Sequence, residues 1–189
     1  MSDNYKIENR DAAYFLTMTV VGWIDLFTRS NHKLLIINSI RYCQKYKGLE
    51  IYAYCIMPGH LHLIARAVGS YSLSEILRDF KKFTSKKLVE QILNEPESRR
   101  EWMLEYFKNE ATIIKRNKNY KIWQDGNQAK EIFSNEFFWQ KLDYIHQNPV
   151  QDLFVKNPED YLFSSARNYS ELDAYLEIVL ESGRLITYN

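Results

Sequence analysis

Leu49-Glu50-Ile51-Tyr52-Ala53-Tyr54-Cys55-Ile56-Met57-Pro58-Gly59-His60-Leu61-His62-Leu63-Ile64-Ala65-Arg66-Ala67-Val68 reads as two strands folded back on each other. Leu49 to Met57 and His60 to Val68 are rich in β-branched, aromatic and aliphatic residues, and Pro58-Gly59 between them is a turn signal. Side chains alternate along a strand, so His60 and His62 share one face while Leu61 and Leu63 take the other. Two residues of strand rise put the two imidazoles about 7 Å apart, close enough to share one metal ion. The pair alone fits a metal or phosphate role, and equally an ordinary solvated strand face.

Outward from this hairpin, strands and helices alternate. Tyr14 to Val21 reads as a first strand, and His32 to Lys47 as a helix with Leu35, Ile36, Ile40 and Cys43 at helical spacing and Gly48 as its stop. Ser72-Leu73-Ser74-Glu75 has a capping-box pattern and opens a helix expected to run to Leu93. Glu95-Pro96-Glu97 breaks the chain, and Ser98 to Lys115 is a further amphipathic helix. Tyr120 to Trp123 is a candidate short strand. Asn135 to Gln147 reads as a helix with a core stripe of Phe138, Leu142 and Ile145, terminated by Pro149. The pattern predicts an α+β fold, an antiparallel sheet covered by helices on one side.

Composition narrows the class. With 189 residues, 46% hydrophobic and 15% aromatic, the chain can bury a proper core and reads as an ordered, single-domain globule. A formal net charge of +1 gives no global attraction to nucleic acid, so such binding needs a local patch. Two cysteines, Cys43 and Cys55, are too few for a disulfide framework or a zinc module. There is no signal-like apolar run at the N-terminus and no stretch of about eighteen apolar residues, so the expectation is a cytosolic protein with no membrane partner.

The Asn135 helix adds Tyr144, off the core stripe and on the same face as Gln140 and Asn148, one turn to either side. Taken alone, such a tyrosine is usually a boundary residue with its hydroxyl in water. His146 points about 200° away from Tyr144, toward a structural or solvated role. Taken together, the segments resemble a known family. Met57-Pro58-Gly59-His60-Leu61-His62-Leu63-Ile64 resembles the metal-binding motif of the HUH single-tyrosine transposases. Tyr144-Ile145-His146-Gln147-Asn148-Pro149-Val150, with Pro158-Glu159-Asp160-Tyr161 and Ser164-Ser165-Ala166, resembles the C-terminal half of the REP-associated tyrosine transposase branch of the IS200-like enzymes.

The resemblance spans about Tyr14 to Tyr169. It implies a ferredoxin-like, RRM-like sheet, His60 and His62 as ligands of a divalent metal (Mg²⁺ or Mn²⁺), and Tyr144 as nucleophile. A polar side chain one turn after the tyrosine completes the metal shell in the family, which maps onto Asn148. It also implies a homodimer acting on single-stranded or hairpin DNA in the cytoplasm of a bacterial-type cell, associated with the nucleoid. In such a dimer the tyrosine of one subunit can serve the histidines of the other. Two departures stand out. The insertion-sequence branch has glutamine where this chain has Asn148, and the interval between histidines and tyrosine is longer, with the extra length in about 95–126. Residues 170–189 read as a C-terminal tail.

The chemistry implied is transesterification. Tyr144 attacks a phosphodiester, releases a 3′ hydroxyl and keeps the 5′ phosphate as a phosphotyrosine, so the strand can be rejoined without ATP. A phenol is mostly protonated at neutral pH, so a metal or a nearby base must assist. Candidate DNA-binding side chains are Arg78, Lys82 and Lys86, a stripe on the helix after the histidine strand, expected beside the site with Phe80 and Phe83 turned to the core. Lys115, Arg116, Lys118 and Lys121 form a second cluster. A solvated helix face is the commoner explanation of such a stripe. Tyr120 and Trp123 could stack on an unpaired base or simply pack. Three functions remain open at this level: a DNA nicking and joining enzyme, a catalytically silent hairpin-binding descendant, and a protein-interaction module whose histidines are structural.

Overall fold

The computed structural model describes residues 6–113 and 119–181. Four strands, β1 (Tyr14–Thr19), β2 (Leu49–Ile56), β3 (His60–Ala67) and β4 (Lys130–Glu131), form one sheet in the order β2-β3-β1-β4. Every pairing is antiparallel. This is the strand order of the ferredoxin-like β-α-β-β-α-β unit, with α1 (Ser30–Lys47) between β1 and β2 and α2 (Leu73–Asn94) after β3. An added helix, α3 (Arg100–Ile113), precedes β4, and α4 (Asn135–Gln151) follows it. A short α5 (Ala166–Tyr169) comes later in the chain.

The hairpin forms as its sequence implies, with a β-bulge between Ile51 and Ala53. Its register sets the two faces of the sheet. Leu16 and Met18 of β1 lie level with Leu63 and Leu61 of β3, and all four are essentially fully buried. They share this face with the core side of α1 and α2, whose Ile36, Ile37, Ile40, Ile76, Leu77 and Phe80 are buried too. The capping box at Ser72 is present: its hydroxyl accepts from Glu75 N–H, and the Glu75 carboxylate accepts from Ser72 N–H. Phe80 is buried as expected, but Phe83 is half exposed. Three residues on from Phe80, it falls at the margin of the apolar stripe and opens onto the α1 side, beside Tyr42.

The opposite face carries the histidines, and α4 covers it, so helices pack on both sides of the sheet rather than one. The expected end of this helix at Gln147 is also corrected. α4 continues through Pro149 to Gln151. Proline lacks the N–H that would bond the carbonyl four residues back and its ring crowds that carbonyl, and in the last turn the helix tolerates both. The final carbonyls find other donors: Asn148 O accepts from Asp152 N–H, and Pro149 O from Phe154 N–H. Asn148 is therefore buried inside an intact turn.

Residues Tyr120 to Trp123 do not form a strand; only a single bridge pairs Trp123 with Val20, and the fourth strand is the two-residue Lys130–Glu131. The tail packs back on the body over its described length. Val179 N–H reaches Ile51 O, and Arg41 and Gln44 of α1 hold the Tyr175 and Glu177 carbonyls. Cys43 and Cys55 are free and buried, and burial pushes both thiols well up, to about 11 and about 12. No helix among the described residues is long and apolar enough to cross a membrane.

Candidate active site

His60 opens β3 directly after the Pro58-Gly59 turn, and strand register sets it level with Thr19 of β1, with His62 level with Thr17. The two imidazoles meet at 4.6 Å between ring centres, inclined by 73°. His62 is 3% exposed, with the Phe15 ring stacked on it at 5.6 Å. Its Nδ1 lies 3.0 Å from the Thr17 hydroxyl. With Nδ1–H donating to Thr17, Nε2 carries the lone pair, and Nε2 is buried without a hydrogen-bond partner among the described residues. A buried nitrogen with no partner is costly unless something else satisfies it.

Burial lowers the basicity of both rings. His62 is pushed down to about 3, first by desolvation and then by His60, and His60 is lowered chiefly by desolvation. Both are therefore neutral at physiological pH, the form that ligates a metal. The Asn148 side chain works the other way on each ring, favouring the charged form, in which the imidazole gains a second N–H for the amide oxygen to accept. Its Nδ2 donates to the Tyr144 carbonyl at 2.8 Å, which leaves Oδ1 as the end free to act on the histidines. The Asp152 carboxylate, just past the end of α4, also acts on His60.

Tyr144 stands against this cluster within the same chain. Its ring lies edge-on to His62 at 5.3 Å and to Phe15 at 5.9 Å, and the side chain remains 42% exposed. Lys141, one turn earlier, holds its ammonium 5.7 Å from the Tyr144 ring, 5.2 Å from Phe15 and 5.1 Å from Phe137. Desolvation lowers the Lys141 ammonium, with Lys130 adding to the effect. His146 turns away from the site: buried, pushed down to about 4 by desolvation, it meets the Ser165 hydroxyl at 2.9 Å. Ser165 in turn accepts from Tyr54 N–H of β2.

The structure thus brings His60, His62, Asn148 and Tyr144 together. Among the described residues no three His, Cys, Asp or Glu side chains cluster to hold a metal. The available donors are two imidazoles and one amide oxygen, with the partnerless Nε2 of His62 among them. That set fits a divalent ion that accepts mixed nitrogen and oxygen ligands, Mn²⁺ somewhat better than Mg²⁺. Thr17 and Lys141 were not singled out from the sequence. Only strand register reveals the first, and only the docking of α4 the second.

The basic residues fall elsewhere. Arg78, Lys82, Lys86 and Lys121 line one cleft of about 760 Å³ between α2 and residues 119–127. The wall opposite α2 runs along the β4 side of β1, where Thr17 N–H donates to Asn127 O and Gln124 N–H to Thr19 O. The stripe is therefore not beside the histidines: α2 packs under the other face of the sheet, and the cleft opens around the β1 edge. Arg78 pairs with Asp79, and Lys121 with Asp125. Trp123 is buried, its indole N–H donating to Thr84, so it packs rather than presents a stacking surface. Lys115, Arg116 and Lys118 lie outside the described residues.

Comparison with known proteins agrees with this picture. A family model described as transposase IS200-like matches residues 24–112, which include both histidines and α2 but end before α4. No curated protein matches the chain. A solved structure described as a REP-associated tyrosine transposase bound to a REP hairpin superposes with a TM-score of 0.64, covering 96% of each chain at 21% identity. Residues 24–112, with the histidine motif, are thus similar to the IS200-like transposases, and the chain as a whole has the fold of the REP-associated tyrosine transposase structure.

Proposed function

We propose that this protein nicks and rejoins single-stranded DNA beside a hairpin, through a 5′-phosphotyrosine formed on Tyr144. The observation that carries the reading is the apposition of the Tyr144 ring to His62 at 5.3 Å, with Asn148 tied to the Tyr144 carbonyl beside them. His60, His62 and Asn148 would hold a divalent cation, Mg²⁺ or Mn²⁺, whose chemistry is to offset negative charge on a scissile phosphate.

The remaining work belongs to the chain. The Tyr144 oxygen attacks phosphorus, its phenolic proton is lost, and the oxygen–phosphorus bond forms as the bond to the 3′ oxygen breaks. That oxygen leaves as a 3′ hydroxyl after taking up a proton. The number of phosphoester bonds is unchanged, so attack by a 3′ hydroxyl reverses the step. Lys141, with its ammonium 5.7 Å from the Tyr144 ring centre, would attract a phosphate approaching that residue. Phe15 and Thr17 keep His62 oriented. Arg78, Lys82, Lys86 and Lys121 give the cleft a charge suited to a hairpin backbone. Lys115, Arg116 and Lys118 would extend that charge. The hairpin-bound neighbour supports this choice of substrate. The same reading takes the protein to act as a single-domain homodimer on nucleoid DNA.

The test is incubation with a hairpin-bearing single-stranded oligonucleotide and Mn²⁺. The expected result is a covalent protein–DNA adduct that Tyr144→Phe abolishes. Binding without any adduct from the wild type would make the protein a silent hairpin binder. Failure to bind single-stranded DNA at low salt would overturn both.

A further inference from the structure

We infer that Trp23 is a stacking platform for an unpaired base next to the scissile phosphate, an inference that rests on the single-stranded DNA reading of the site. The indole lies edge-on to the His60 ring at 5.4 Å between ring centres, yet the residue is 61% exposed. An aromatic side chain bordering a metal-binding histidine while most of its surface faces water is available to a ligand. It carries no charge to attract a phosphate, but it offers a flat π-surface on which any base can stack.

Its backbone is the second observation. Trp23 has φ +56°, in the left-handed region that bulky residues rarely occupy. A tight turn imposes this conformation: Gly22 has φ +64°, and Ile24 N–H closes back on Val21 O. Contacts on both sides fix the turn. Val20 N–H donates to Gly59 O and Phe27 N–H to Pro58 O. A Cβ on Gly59 would sit 3.0 Å from the Trp23 carbonyl oxygen, so a side chain there would push the two turns apart by a few tenths of an ångström. On the other side the Tyr106 hydroxyl of α3 covers Gly22, 2.5 Å from where a Cβ would stand. The platform is thus bolted to the Pro58-Gly59 turn from which His60 emerges, and indole and imidazole keep their spacing.

The surroundings continue the surface. Tyr106 pairs with Trp102 one turn back on α3 at 6.2 Å, and Trp102 is itself 53% exposed. A single strand leaving the site past Trp23 meets further aromatic rings. A base held in a duplex cannot offer its face to Trp23, so the platform selects a strand that is unpaired at this position.

The test is equilibrium binding of a hairpin-bearing oligonucleotide to the full-length protein, with an abasic site placed at each single-stranded position in turn. Wild type should lose affinity at one position next to the cleavage point, by about tenfold. Trp23→Ala should bind the intact strand about tenfold more weakly and no longer distinguish it from that abasic strand, while Trp23→Phe should keep most of the discrimination. Trp23→Gly removes the indole while easing the backbone, so equal loss in Trp23→Ala and Trp23→Gly excludes misfolding as the cause. Wild-type affinity in Trp23→Ala, or a loss that is the same on intact and abasic strands, overturns the proposal. Position-specific discrimination by wild type without adduct formation sinks the nicking chemistry and leaves the platform standing. No binding at all sinks both.

Discussion

The histidine face and the α2 cleft are built in opposite ways. Under α4, polar groups are buried and few, and one of them, His62 Nε2, has no partner among the described residues. In the cleft, the charges are many, and two of them already face carboxylates at 3.0 Å. A protein tolerates a buried, partnerless nitrogen only where something else uses it, whereas paired surface cations persist for solubility alone. The first kind of site therefore constrains the chemistry, and the second constrains only the charge of what lies across it.

The largest expected effect falls on the histidine face. His62→Ala, like Tyr144→Phe, should reduce adduct formation below detection, while binding to hairpin DNA measured by electrophoretic shift persists. Loss of binding in both would mean the two faces are not separable. Next comes acidity. His146 is held at about 4 against an ordinary 6.5, so as pH falls the unfolded chain takes up the proton first. Stability is full above pH 6.5 and is lost progressively down to about pH 4, with about 2 kcal/mol gone at pH 5 from this residue. Urea denaturation at pH 7 and pH 5 measures it, and His146→Gln should show a shallower drop. A flat profile in wild type would show that the seam between α4 and the Ser165 segment opens freely.

Smaller effects are expected on the cleft side. Replacing Lys82 and Lys86 together with alanine should weaken hairpin binding evenly across sequences. It should also lower the slope of log affinity against log salt by about 1 to 2, measured by titration at several ionic strengths. An unchanged slope would remove the cleft from the DNA path. Smallest of all, Ser72→Ala should cost about 1 kcal/mol of stability through the lost α2 cap, read by thermal melting. Adduct formation per folded molecule should stay the same.

The contrast also explains what could be read from the sequence. The hairpin, its turn and the shared face of His60 and His62 follow from a period of two, which needs no tertiary information. The capping box at Ser72 is equally local. The reach of α4 past Pro149 was not legible, because it depends on Phe154 and Asp152 supplying donors to the last turn. Helical spacing alone does not say where the apolar stripe ends, so it cannot distinguish exposed Phe83 from buried Phe80. A two-residue strand such as Lys130–Glu131 leaves no periodic signal at all. Thr17 and Trp23 acquire meaning only once β1 lies beside β3 and the Gly22 turn rests on Gly59. The family resemblance pointed to Tyr144 and Asn148. The docking of α4 within the chain, which brings them against His62, came from the fold.

One consequence attaches to the hydrogen bond from Asn148 to the Tyr144 carbonyl. It ties the phenol and the amide into one lever carried by α4. A strand covalently attached to Tyr144 cannot be swung clear of the histidines without withdrawing Asn148 in the same stroke. Release of the attached strand and disassembly of the donor set would be a single event, so rejoining would be confined to strands that reach the lever before it moves.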